Sequence, residues 1–337
     1  MPLHDPSVAG PHDPATSTPV RQVRSVRRTT SIDTTRPDGL TGRMVMVGRA
    51  RDLVTDASGD AVVVGEAEVE AEVDGASREL RAISGRPAVA DLDVLTGAVV
   101  GRGFRGKVEA AAPDERDRRS LLYLLLDDLS GASLVSGYAL LSTDLAGTKT
   151  NPDHLAMTAD LCAGWATDGS MMQLIREHGQ NPTPLGPRAP RLEPADDPIA
   201  FHELPVLPPN GMRRLRRIDV TAPSEAGGLH VIDAFMRDSH VDGDGVEIVL
   251  HEYTVAATVD AATRTIVDIA ATPDVLPWME CPAAVASAER LKGHGLADLR
   301  AHVRKTFVGT TTCTHLNDVL RGLADVEVLL DEIASDR

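Results

Sequence analysis

The chain has 337 residues, 42% of them hydrophobic, which is enough for two domains of ordinary size with separate cores. Its formal charge of −16 argues against nucleic acids and anionic membranes as partners, because phosphate binding needs clustered Lys and Arg, and the one basic run, Arg21 to Arg28, is short. No apolar run approaches the roughly 20 residues expected of a bilayer span. Met1 to Pro19 lacks the apolar centre of a signal peptide. The three cysteines, Cys162, Cys281 and Cys313, are too few and odd in number for a disulfide framework. A reducing, cytoplasmic compartment is expected, with thiols free to act as ligands or nucleophiles.

In chain order, residues 1–20 read as a disordered tail and 21–150 as a first α+β unit. Its strands are expected at Arg43–Ala50, Ala61–Val73 and Arg78–Ile83, with turns at Asp56–Asp60 and Asp74-Gly75. Val69, Ala71 and Val73 alternate with Glu68, Glu70 and Glu72, the pattern of a half-buried antiparallel strand. Arg118–Leu129 and Leu134–Leu141 follow as apolar helical segments. Residues 151–180 form a helical connector, with helices over Asp153–Thr167 and Ser170–His178, the second capped by Ser170 and stopped by Gly179. Residues 181–209 hold nine prolines and read as an extended tether. A second unit, 210–337, has strands at Leu229–Asp238, Val246–Val259 and Thr265–Ala271. Helices are expected at Ala283–Lys292, Leu296–Thr306 and Cys313–Ala324.

The two units are related. Arg27–Pro87 lies on Arg213–Pro273 without a gap at an offset of 186, and 22 of the 61 aligned pairs are identical. The pattern predicts two tandem duplicated α+β units, each an antiparallel sheet packed by helices, related by a pseudo-twofold axis. The second unit alone carries metal-ligand residue types: His251, Cys281, Cys313 and His315. Gly65 stands where His251 does, and the first unit has no cysteine. Thiolate plus imidazole suits zinc or iron, and ligands scattered over a strand, a loop and a helix start leave an open coordination position. A helix beginning at Cys313 would lower its thiol pKa. A small buried hydrophobe remains the alternative for each cysteine, and a carbonyl-bonded core residue for His251.

Glu252 is a candidate acid–base beside His251, although its match to Glu66 also fits an ion pair with an arginine. The same reasoning demotes Asp238 and Arg237, matched by Asp52 and Arg51. His240 is a reserve candidate. Cys162 is either a core residue or a nucleophile facing a pocket between the units. No nucleotide-binding or serine-hydrolase motif is present.

The string Thr312-Cys313-Thr314-His315-Leu316, with Leu250-His251-Glu252 and the Cys281…Leu291-Lys292-Gly293 segment, resembles the domain of unknown function 2889 family. That family's motif carries glycine where Thr312 stands, and the name implies no activity. The order strand, strand, Cys, helix, then a Cys/His pair opening a last helix is similar to the U-type iron–sulfur scaffold fold. That resemblance implies Cys281, Cys313 and His315 as ligands, with His251 or Glu252 near the first motif.

The expected function is that of a metal-dependent hydrolase or lyase acting on a small organic substrate. A single zinc or iron ion would be held by His251, Cys281 and Cys313, with His315 as fourth ligand or acid–base. A cluster-scaffold protein and a metal-free cysteine enzyme are the alternatives. The partner is a small-molecule substrate, with a homodimer left open.

Overall fold

Two segments too polar to announce themselves as strands form the middle of the molecule. Ser25–Thr35 (β1) and Met212–Thr221 (β5) pair with each other, and the remaining strands flank them in order. In the computed structural model, which describes residues 3–89, 91–143, 155–156, 158–192, 197–225 and 227–335, these are β2 (Met44–Thr55), β3 (Ala61–Val73), β4 (Leu80–Arg86), β6 (His230–Val241), β7 (Glu247–Asp260) and β8 (Thr265–Val275). They make one eight-stranded antiparallel sheet, ordered β4-β3-β2-β1-β5-β6-β7-β8. The α+β class stands, but the expected pair of sheets is a single continuous one.

The ladders carry the sequence offset. Ser31 pairs with Arg49 and Arg217 with Phe235, the same pairing displaced by 186. A bulge at Asp52/Leu53 recurs at Asp238/Ser239. At the seam Thr30 faces Arg216, its own counterpart, so the β1–β5 ladder is locally twofold about that pair.

One face of the sheet is covered by helices. Among the described residues these include α1 (Phe104–Ala111), α2 (Pro113–Asp117), α3 (Leu121–Val135), α4 (Tyr138–Leu141), α5 (Ser170–His178), α6 (Leu299–Thr306), α7 (Thr314–Gly322) and α8 (Val326–Ser335). Alternation explains the strands beneath them: Val69, Ala71 and Val73 are buried while Glu70 is exposed. Contrary to expectation, Leu121–Leu141 is long and apolar enough by composition to cross a membrane. However, 78% of its apolar window is buried, as in a core helix. α5 has the expected bounds and ends at Gly179 in the left-handed region (φ 69). Its cap is Gly169 rather than Ser170, because the Ser170 N–H and hydroxyl both donate to Glu280. The expected helix over Asp153–Thr167 lies partly outside the described residues, and Ala163–Trp165 is a single 3-10 turn. Ala283–Lys292 was expected as a helix. Cys281–Leu291 takes the tighter 3-10 form.

Under the helices, the seam strands place their arginines against buried carboxylates. Arg28 pairs with Asp52 and Asp325, Arg214 with Asp238 and Asp318, and Arg216 with Asp128. Arg300 and Arg321 close the network onto Asp127. Each cation is matched, which is why so polar a centre is tolerated.

The other face is covered by extended chain. The tail was expected to be disordered, yet it pairs with the structure: Asp13 N–H donates to Asp274 O at 2.9 Å, and Leu276 N–H to Pro11 O at 3.0 Å. The tether packs too. Leu192 and Phe201 bury against Leu215 and Phe235, and His202 sits between Thr29 Oγ1 (2.9 Å) and Ser31 Oγ (2.8 Å). Proline-rich chain donates few backbone hydrogen bonds, so it lies mostly over a sheet face and pairs with a strand only briefly, at Pro187-Arg188-Ala189.

Candidate functional site

Asp238 lies in β6 just before the bulge, and His251 faces it directly across the β6–β7 ladder. His315 comes from the first turn of α7 and stacks on His251, with ring centroids 3.6 Å apart and planes 17° from parallel. Asp238 Oδ2 stands 3.8 Å from both His251 Nδ1 and His315 Nε2. Among the described residues, these three form a group with one ligand atom each, all within 4.8 Å of one another.

Two of the three have a polar neighbour behind them. Arg214 grips Asp238 with two hydrogen bonds (Nε to Oδ1 at 2.7 Å, Nη2 to Oδ2 at 2.9 Å), and Asp318 holds Arg214 at 2.7 Å. On the far side of His315, Nδ1 lies 3.8 Å from Cys313 Sγ. Burial pushes the His251 pKa well down, helped by the neighbouring His315. Burial, and then Arg214, lowers His315 to about 3. Both rings are therefore neutral near pH 7, the form in which imidazole is a ligand. His251 Nδ1 is buried and has no hydrogen-bond partner, a costly state for a polar atom. Both histidine side chains keep 15% of their surface exposed, so the group sits at the rim of the core.

Of the expected ligands, the structure brings together His251 and His315, with Cys313 beside them. Cys281 is not in the group of three, although it shares a core with Cys313. It is buried in the apolar core, and its sulfur lies 2.8 Å from where a Cβ on Gly164 would stand. Cys162, Cys281 and Cys313 are all free and buried, close enough that burial and mutual charge push Cys281 well up and Cys162 up to about 12. Burial also raises Cys313, against the expected helix-start effect, although Tyr253 and two backbone amides oppose it. Glu252 corrects the acid–base expectation. It points to the opposite sheet face, fully buried, paired with Arg237 and accepting from Ala15 N–H. His240 stands apart, edge-on to Tyr138 at 5.0 Å.

Sequence reasoning missed Asp238 because Asp52 matches it. The match is real, for Arg28 grips Asp52 as Arg214 grips Asp238. What differs is the residue opposite, Gly65 in one half and His251 in the other. Pairing the two predicted strands through their shared bulge would have placed Asp238 beside His251.

Residues 212–329 match the model of the family described as "Protein of unknown function (DUF2889)". The match covers 118 of the 337 residues, all of them in the second half of the chain. The family segment runs from the seam strand β5 into α8 and contains all three clustered residues. No curated protein and no solved structure matches the chain.

Proposed function

We propose that the protein is a metal-dependent hydrolase or lyase for a small organic substrate, with one zinc or iron ion held by Asp238, His251 and His315. The observation that carries this reading is the bare, buried His251 Nδ1, converging with His315 Nε2 on one carboxylate oxygen. Ligand atoms on bonds of about 2.1 Å at tetrahedral angles lie ~3.4 Å apart, so separations of 3.8 Å need to close by only a few tenths. Two imidazoles and a carboxylate leave positions open, as catalytic zinc and non-haem iron sites do.

A bound ion would supply Lewis acidity toward a carbonyl or water. The chain's own residues orient the donor set: Arg214 fixes the carboxylate, and Cys313 lies behind the ring nitrogen of His315 that faces away from Asp238. The raised thiol pKa values count against the metal-free cysteine reading. A cytoplasmic setting belongs to the same proposal, as does descent of the two halves from one duplicated unit, which the shared registers and bulge support.

Elemental analysis and zinc or iron(II) titration of the whole protein test the site. About one equivalent of metal is expected, lost in His251→Ala and His315→Ala but kept in Cys281→Ser. Negligible metal uptake by the wild-type chain overturns the reading.

A further inference from the structure

The edge of the sheet is finished differently in the two halves. β8 pairs with β7 from Glu252 onward, and the preceding stretch of β7 is covered by the chain itself. Val249 N–H donates to Pro187 O at 2.9 Å, Ala189 N–H donates to Glu247 O at 2.8 Å, and Arg188 bridges Ile248. Val249 and Leu250 are 0% and 3% exposed there, Leu250 packing against Tyr138 and Met212.

Their counterparts at offset 186 are Val63 and Val64, which are 45% and 47% exposed, next to Val62 at 62%. β4 pairs with β3 only from Glu68 onward. The β2–β3 register matches β6–β7 through the bulge, so Val63 N–H and Ala61 C=O face outward as Val249 N–H and Glu247 C=O do. Among the described residues, no segment takes the place of 187–189. An edge with bare donors and three exposed valines is the template that strand addition uses.

Where β4 leaves the edge, a cavity of about 220 Å³ opens, whose lining mixes Glu66, Glu115 and Glu332 with Arg28, Arg118 and Arg119. That volume accommodates one long side chain. The edge lies between Asp60 and Glu66, on a chain of charge −16. A second copy paired antiparallel about Val63 would set Asp60 against Glu66 of its partner, a repulsive register.

We infer that residues 61–65 of β3 form a docking edge for an extended, basic peptide segment of a partner protein. The peptide adds a strand through Val63 N–H and Ala61 C=O and sets its Lys or Arg side chains beside Asp60 and Glu66, which flank the edge. Charge complementarity and the Pro187-Arg188-Ala189 cover of the opposite half both point to this occupant rather than to a second copy.

The test is fluorescence anisotropy of the whole protein with a labelled peptide of residues 184–191 (Pro-Leu-Gly-Pro-Arg-Ala-Pro-Arg). Saturable binding is expected. It should weaken about tenfold or more in Val63→Pro, which removes an outward N–H, and similarly in Glu66→Lys, which leaves the backbone intact should the proline variant not fold. Absence of binding overturns the inference, as does affinity within about twofold of wild type in the folded variants. Sedimentation showing a dimer abolished by Val63→Pro would instead assign the edge to self-association.

Discussion

Acid stability offers a sharp test of how the extended chain is fastened to the sheet. His202 lies on the proline-rich segment between two hydroxyls of β1, and burial, followed by Arg51, Arg49 and Arg213, lowers its pKa to about 3. The unfolded chain takes up this proton near 6.5, so the folded state loses stability as pH falls through the window from about 6.5 to 3, and keeps it above. Between pH 7 and pH 5 the loss from this one group is about 2 kcal/mol, at ~1.4 kcal/mol per pH unit below 6.5. His202→Gln removes that titration. Urea denaturation at pH 7, 6 and 5 should therefore show a pH dependence about 2 kcal/mol shallower in the variant, with an unchanged denaturant slope. Parallel pH profiles for the two proteins would refute the assignment.

Gly164→Ala drives a Cβ into Cys281 Sγ at 2.8 Å and Trp278 Cδ1 at 3.1 Å, and calorimetry should find the protein about 1–3 kcal/mol less stable. Arg214→Met strips the arginine from Asp238 and removes one of the three that Asp318 has. A loss of about 3–5 kcal/mol in chemical denaturation is expected, with metal affinity weakened as the carboxylate loses its clamp. Glu252→Gln breaks the pair with Arg237 and should lower the melting temperature while leaving metal stoichiometry intact. A loss of metal there would restore Glu252 to the site.

The strands that were legible in the sequence are those with one wet face. β3 and β7 alternate cleanly, and α5 is bounded by a left-handed glycine that only a helix end explains. β1 and β5 were not legible. Buried on both faces, they would ordinarily read as apolar, but their arginines are neutralised by aspartates that lie far along the chain on α3, on α7 and in the turn before α8. The tail and tether were misjudged for a related reason: polar, proline-rich chain contributes little core, yet it can close a sheet face with a handful of apolar anchors. His251 and His315 were singled out by residue type, by their confinement to one half and by the Cys313-Thr314-His315-Leu316 string. Asp238 was discarded because it recurs in both halves. A residue can keep one structural role in two copies and gain a second where its neighbour changes.

The β1–β5 ladder also has a consequence for synthesis. The first strand of the sheet leaves the ribosome roughly 190 residues before the strand that flanks it on one side, at the commonly observed rate of ~5–20 residues per second. For that interval an early-made half carries an open edge at what becomes the centre of the finished molecule. Slow, late closure is the kinetic cost of joining two sheets through their middle, and it makes the nascent amino-terminal half the stage at which a chaperone would matter most.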